Sequence, residues 1–241
     1  MSEPQVYPSA EALAQHAADW LLAWAAATAA KPGERFSVCL SGGSTPKRLY
    51  ELLAASPRRD AFPWESTHWF WGDERFVPPD DKASNYRMVN EAMLSHVPVP
   101  AANIHPMPTL GVTPEQAVKV YERELQLFHG EETLDRARPL FNVVLLGLGT
   151  NGHTASLFPD MPVLDEHKQW AGTMTDPEAG MRLTLTYPAL ESCREAVFLV
   201  AGADKAPMLE RLLARDPTIP AGRFKPRGTL HIFADRAAAQ G

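Results

Sequence analysis

Phe141-Asn142-Val143-Val144-Leu145-Leu146 runs directly into Gly147-Leu148-Gly149-Thr150-Asn151-Gly152-His153-Thr154-Ala155-Ser156. The first six residues have the length and β-branched content of a buried strand. The three glycines that follow let the backbone turn sharply and approach a ligand closely. His153 then sits at the carboxyl end of a buried strand, where an open α/β sheet gathers its chemistry. Two other readings compete for this loop. Gly147, Gly149 and Gly152 match the G-x-G-x-x-G dinucleotide fingerprint, a weak signal alone. That fingerprint asks for an acidic residue about 20 positions on at a strand end. Asp165 and Asp176 are near that distance, but in loop-like sequence containing proline and methionine. The plainer alternative is a tight turn holding a satisfied histidine.

The same pattern recurs upstream. Phe36-Ser37-Val38-Cys39-Leu40 reads as a strand entering Ser41-Gly42-Gly43-Ser44-Thr45-Pro46, then an amphipathic helix through Leu49, Leu52 and Leu53. Pro46 suits the first helical turn, with Thr45 or Ser44 as the expected cap. A strand, a glycine turn and a helix start aim backbone N–H groups and hydroxyls at one spot, which favours an anion such as phosphate. Without the terminal G-K-[ST] it is not a Walker loop. A capped helix with no ligand is the plain reading. Thr67-His68-Trp69-Phe70-Trp71 is a third strand, ending in Gly72-Asp73-Glu74-Arg75. Three charged residues there read as a solvated turn or as a third set of polar groups facing one crevice.

Elsewhere the elements follow familiar signals. Residues 9–30 read as an Ala-rich helix opened by Ser9, with Leu13, Trp20, Leu21 and Trp24 near one face. A helix is expected from about Asn85 to Val97. Ile104-His105 is a short extended piece. Thr113-Pro114-Glu115-Gln116 is a capping box opening a helix to about His129. Residues 159–180 show no clear period and read as irregular. Arg182-Leu183-Thr184-Leu185-Thr186 alternates as a strand, Arg182 on the threonine face. Ala196–Val200 and Thr229–Phe233 are further strands. Between them, Gly202-Ala203-Asp204-Lys205 leads into a helix through Leu209, Leu212 and Leu213. Lys205 in the first turn opposes the helix dipole at a cost of a few tenths of a kcal/mol, a violation expected where a phosphate binds.

The 241 residues suit one α/β domain spanning 1–241. The net charge of −6 and the lack of a basic run argue against nucleic-acid binding. Anion binding must then use locally concentrated cations. Cys39 and Cys193 read as small buried residues with no metal or redox pattern. Leu21–Ala27 imitates a signal core, but acidic residues precede it and no basic ones do, and no run reaches membrane-spanning length. A cytoplasmic location with no membrane partner is the expectation.

Together, Ser41–Pro46, Trp71–Phe76, Asn85-Tyr86, Leu145–Pro159, Arg182–Leu190 and Gly202–Leu209 resemble the glucosamine/galactosamine-6-phosphate isomerase / 6-phosphogluconolactonase family. The resemblance spans about residues 10–235 and is most specific in S-G-G-S-T-P, W-G-D-E-R and L-G-L-G-T-N-G-H-T-A-S-L-F-P. It implies a Rossmann-like, open, mostly parallel sheet flanked by helices, shared with glucosamine-6-phosphate deaminases and ribose-5-phosphate isomerases. It also implies hydrolysis of 6-phospho-D-glucono-1,5-lactone in the pentose phosphate pathway, without metal or cofactor. Separately, a monomer or small homo-oligomer is expected. Under it His153 is the general base and Arg75 the stabiliser of the oxyanion. Asn151 orients His153 or substrate, and Asp73 holds substrate hydroxyls or positions Arg75. Ser41, Gly42, Gly43, Ser44, Thr45, Arg182 and Lys205 hold the phosphate. The sister deaminases are the sharper alternative. They carry D-G-H and a glutamate five residues after the histidine, where this chain has Asn151 and Phe158, and D-E-Y where it has Asp73-Glu74-Arg75. A non-catalytic sugar-phosphate sensor is a third reading, for which the chain offers no spare appendage.

Overall fold

The computed structural model describes residues 3–135, 137–176 and 180–240. The strands are β1 (Gln5–Tyr7), β2 (Phe36–Leu40), β3 (Thr67–Trp71), β4 (Asp73–Arg75) and β5 (Ile104–His105). They continue with β6 (Phe141–Gly147), β7 (Ala171–Asp176), β8 (Gly180–Leu185), β9 (Cys193–Val200) and β10 (Thr229–Asp235). Among the described residues, seven of these form a sheet in the order β1-β10-β9-β6-β2-β3-β5. All of its pairings are parallel.

Every residue of β2 is buried, as expected of a strand covered on both faces. The aromatic side chains of Phe36, Trp69, Phe70, Trp71, Phe141, Phe198 and Phe233 are almost completely enclosed. The Ala10–Ala29 helix is capped by Ser9, whose hydroxyl accepts from the Ala12 N–H. It buries a narrow stripe of Leu13, Ala17, Leu21 and Ala25. Trp20 and Trp24 flank that stripe and do not fill it, Trp20 lying edge-on to Phe233 at 5.9 Å. The Thr113 capping box forms as expected and opens the Pro114–His129 helix.

Chain order reverses between β2 and β6. From β2 the chain moves outward to β3 and β5; from β6 it moves the other way, to β9 and β10. In open parallel sheets the crevice at such a switch point receives the ligand. Both glycine loops leave the carboxyl ends of these two neighbouring strands. Two buried tyrosines fix adjacent ends. The Tyr50 hydroxyl donates to Ser41 O at 2.8 Å and accepts from Ser41 N. The Tyr121 hydroxyl does the same for Trp71.

Four sequence expectations need correction. Asp73-Glu74-Arg75 is not a solvated turn but β4, the first strand of an antiparallel three-stranded sheet ordered β4-β8-β7. Residues 159–180 are not irregular throughout, since they contain the Pro162–Asp165 turn and the whole of β7; residues 177–179 lie outside the described residues. The helix from Asn85 ends at Ala92 and is followed by a separate 3-10 turn over Leu94–His96. Neither Ser44 nor Thr45 caps the Ser44–Leu53 helix: Gly43 occupies the cap position at φ 103°, a conformation that favours glycine. No helix in the described residues is long and apolar enough to cross a membrane.

Candidate active site

At the switch point lies a cleft of about 290 Å³. It brings together Ser41–Pro46 from the β2 loop, Asp73 and Arg75 from β4, and Gly147–Thr150 and His153 from the β6 loop. Arg182 comes from β8 and Lys205 from the turn after β9. All of the residues anticipated from sequence line it except Asn151, which sits on the exposed side of the histidine loop. Three basic side chains, Arg75, Arg182 and Lys205, line the cleft together with the carboxylate of Asp73. A chain with a net charge of −6 has concentrated positive charge here.

The histidine loop is held by its own backbone. Gly149 N donates to His153 O at 2.8 Å and Gly152 N to Gly149 O at 2.9 Å. The imidazole lies directly over Gly149, where a Cβ would fall 2.1 Å from Nδ1, so glycine is needed for the ring to reach its place. Asn151 Oδ1 accepts from the His153 backbone N–H at 3.2 Å and faces its Nδ1 at 2.6 Å. An amide oxygen only accepts, so Nδ1 carries the proton and Nε2 keeps its lone pair. The other wall of the ring is Phe158, stacked at 4.1 Å and 7°. Burial pushes the imidazole pKa down to about 4, against the opposing pull of Asp73, with Arg182 and Lys205 adding to the depression. His153 is therefore neutral at physiological pH.

The loop is not a dinucleotide fingerprint in three dimensions. No helix opens on it: the chain makes a tight reversal bridging Thr154 and Leu157, and the next element is the Pro162–Asp165 turn. Asp176 does end a strand, β7, but in the antiparallel sheet. The strand–glycine–helix arrangement occurs instead at Ser41–Pro46, where no side chain caps the helix. Those N–H groups open on the cleft, an anion-binding geometry.

Arg75 and Arg182 are direct cross-strand partners in β4 and β8. Arg75 is tethered through Nη1 to Ala83 O at 2.6 Å. Both Nε atoms are buried without a partner among the described residues. Burial, and then the like charge of Arg75, lower the Arg182 pKa. Two adjacent guanidiniums with unmet donors are costly unless an anion completes them. Lys205 ends a 3-10 turn and stands as the cap residue of the Ala206–Leu213 helix, not inside its first turn. Its ammonium is 3.3 Å from Asp204.

Asp73 is held by neutral donors. Its Oδ2 accepts from the Ser156 hydroxyl at 2.7 Å, and Asn85 Nδ2 donates to its carbonyl at 2.9 Å. The cation nearest its carboxylate is Arg182, with Nη1 at 4.0 Å from Oδ2, and not Arg75. Glu74 is structural. It accepts from Asn85 N, Tyr86 N, Arg75 N and the Ser84 hydroxyl, closing the start of the Asn85–Ala92 helix, and burial raises its pKa. Ser156, Asn85 and Phe158 were not selected as site residues from sequence. Each lies in or beside a quoted motif, but only tertiary contact distinguishes it from its neighbours. Among the described residues no group of three His, Cys, Asp or Glu converges as a metal-ligand set.

Residues 8–232 match the family model described as glucosamine-6-phosphate isomerases/6-phosphogluconolactonase. The chain belongs to this family. Among its members, the 6-phosphogluconolactonase of Synechocystis sp. is 45% identical over 207 residues, covering 85% of this chain and 83% of the relative. The solved structure of 6-phosphogluconolactonase from Trypanosoma cruzi superposes with a TM-score of 0.84 at 28% identity, covering 100% of this chain and 98% of the other. A monomeric glucosamine-6-phosphate deaminase shares the fold at 20% identity and a TM-score of 0.81, covering 99% of each chain. The fold is thus the α/β fold of this family, shared with that deaminase.

Proposed function

We propose that the chain hydrolyses 6-phospho-D-glucono-1,5-lactone to 6-phospho-D-gluconate. The observation that carries this reading is a histidine held through Nδ1, whose Nε2 has no hydrogen-bond partner among the described residues, set beside three cations in a chain 45% identical to a named 6-phosphogluconolactonase. His153 Nε2 takes a proton from water as the oxygen attacks the lactone carbonyl. The carbonyl π electrons move onto oxygen, and a guanidinium compensates the charge, for which Arg75 is the candidate. As the tetrahedral centre collapses, the ring C–O bond breaks and the imidazolium returns its proton to the departing alkoxide. Asn151 holds the ring through Nδ1, so the general base keeps one tautomer throughout. Ser41 to Thr45, Arg182 and Lys205 bind the phosphate, matching a dianion to a helix start and two cations.

The position of Asn151 also speaks against sugar-ring opening by deaminase chemistry. A carboxylate there would raise the basicity of His153 and stabilise its protonated form; a neutral amide and the apolar face of Phe158 do neither. The test is a coupled assay in which 6-phosphogluconate formation is read by a 6-phosphogluconate dehydrogenase, after subtraction of spontaneous lactone hydrolysis. Turnover of the lactone with no ammonia from glucosamine 6-phosphate is expected. Ammonia release at a comparable rate would overturn the assignment.

A further inference from the structure

Ser156 lies three residues beyond His153, fully enclosed, where the chain has just reversed through Ala155 at φ 47° and the Thr154–Leu157 bridge. The reversal leaves its side chain buried. Its hydroxyl donates to Asp73 Oδ2 at 2.7 Å, and its N–H donates to Thr184 Oγ1 at 3.3 Å. Thr184 is the cross-strand partner of Asp73, just as Arg182 is that of Arg75. One buried serine therefore latches the histidine loop to the strand pair that carries both arginines.

The latch acts on the oxygen that Arg182 would otherwise claim. Arg182 Nη1 is 4.0 Å from Asp73 Oδ2, beyond hydrogen-bond reach, and both side chains are about nine-tenths buried. A charge-assisted N–H···O bond forms at roughly 2.7–2.9 Å, so a shift of about 1.2 Å would close the pair. Such a pair would tie the guanidinium to its own carboxylate and set it against the incoming anion. Ser156 supplies Oδ2 with a neutral donor and so weakens its pull on the guanidinium. Asp176, two positions beyond Arg182's cross-strand partner Met174, and Glu74 also act electrostatically on Arg182; the Ser156 hydroxyl bonds Asp73.

We propose that Ser156 is a positioning residue for substrate affinity: by occupying Asp73 Oδ2 it keeps Arg182 available to the substrate phosphate. The proposal rests on the lactonase reading for its kinetic arm only. Ser156→Ala should raise KM for the phosphorylated lactone about tenfold, the effect of roughly one charged hydrogen bond, while kcat changes less than about threefold. Binding of inorganic phosphate, followed by calorimetry, should weaken by a similar factor. In an Asp73→Asn background, where the carboxylate that Ser156 holds is gone, adding Ser156→Ala should leave phosphate affinity unchanged. If Ser156→Ala fails to fold, Ser156→Cys keeps nearly the same volume with a much weaker donor and should show the same direction. An unaltered phosphate Kd in the folded single variant would overturn the proposal. So would a fall in kcat at constant KM, the signature of a merely structural residue. Wild type without lactonase activity would refute the proposed function and leave the phosphate-binding arm standing.

Discussion

Asn151→Asp tests the protonation logic of the site most directly. The substitution replaces the amide oxygen 2.6 Å from His153 Nδ1 by a carboxylate oxygen, with little change in shape. With about 4 Å between the centres of charge, an effective dielectric near 20 gives roughly 4 kcal/mol of attraction to the imidazolium. Position 151 is solvent-exposed, so screening reduces this to about 1.5–2.5 kcal/mol, or one to two pKa units. The imidazole pKa should rise from about 4 to roughly 5–6. At about pH 5 the neutral fraction would then fall from roughly 90% to between 10 and 50%, and at about pH 8 it would stay near unity. The assay is kcat/KM for lactone hydrolysis across this range, expressed as the ratio of variant to wild type. Taking the ratio cancels the substrate's own phosphate titration near pH 6. It should be at or above one at high pH and drop two- to tenfold at low pH. A ratio that stays flat would mean that His153 is not the titrating base or that Asn151 does not hold it.

Four further outcomes follow from the geometry. His153→Gln keeps a polar side chain without the titrating group and should lower turnover about 10²- to 10⁴-fold, with circular dichroism unchanged. Gly149→Ala would put a Cβ 2.1 Å from His153 Nδ1, so kcat should fall by about 10²-fold in a folded protein as the ring is pushed aside; retained activity would show that the loop relaxes. Arg182→Ala should cost roughly 10- to 150-fold in kcat/KM on the phosphorylated lactone, and Lys205→Ala somewhat less. Neither should affect unphosphorylated gluconolactone, and equal losses on both substrates would remove these residues from the phosphate site. Away from the cleft, burial, then His105 and Arg35, push the His68 pKa down to about 4, with His105 Nε2 3.0 Å from its Nδ1. Because the unfolded value is about 6.5, the unfolded chain binds more protons between these limits, and stability is lost as pH falls through that window. His68→Asn should flatten the fall in Tm between about pH 7 and 4.5, and an unchanged slope would exclude this source.

The centre of the parallel sheet was legible because β2, β3, β6 and β9 are largely buried, carry mostly apolar residues and end at or beside a glycine turn. Caps at Ser9 and Thr113 were equally legible, since capping is local chemistry. The second sheet was not. Asp73-Glu74-Arg75 carries no apolar alternation, and its burial comes from β8 and from a helix start ten residues on. Strand β7 buries only Ala171 and Met174, too few to set a period of two. At Ser44 and Thr45 the hydroxyl rule failed because Gly43, at positive φ, had taken the cap position. Family resemblance picked out the cleft residues, but not Ser156, whose importance lies in a contact 83 positions back along the chain.

The central pairing of β2 with β6 has a consequence for how the protein is made. Ser37 and Asn142, which exchange hydrogen bonds across it, are 105 residues apart. At the sheet edge, β1 pairs with β10, so Gln5 must wait for Phe233. Chains dominated by such distant contacts fold slowly, because loop closure must precede any gain from pairing. On the ribosome, β2, β3 and β5 emerge long before β6, with an apolar edge exposed. The Ser41–Pro46 loop therefore meets both arginine strands only after β8 has been made, which ends at Leu185 of 241 residues, and recovered lactonase turnover during refolding would report a late step of assembly, not the first.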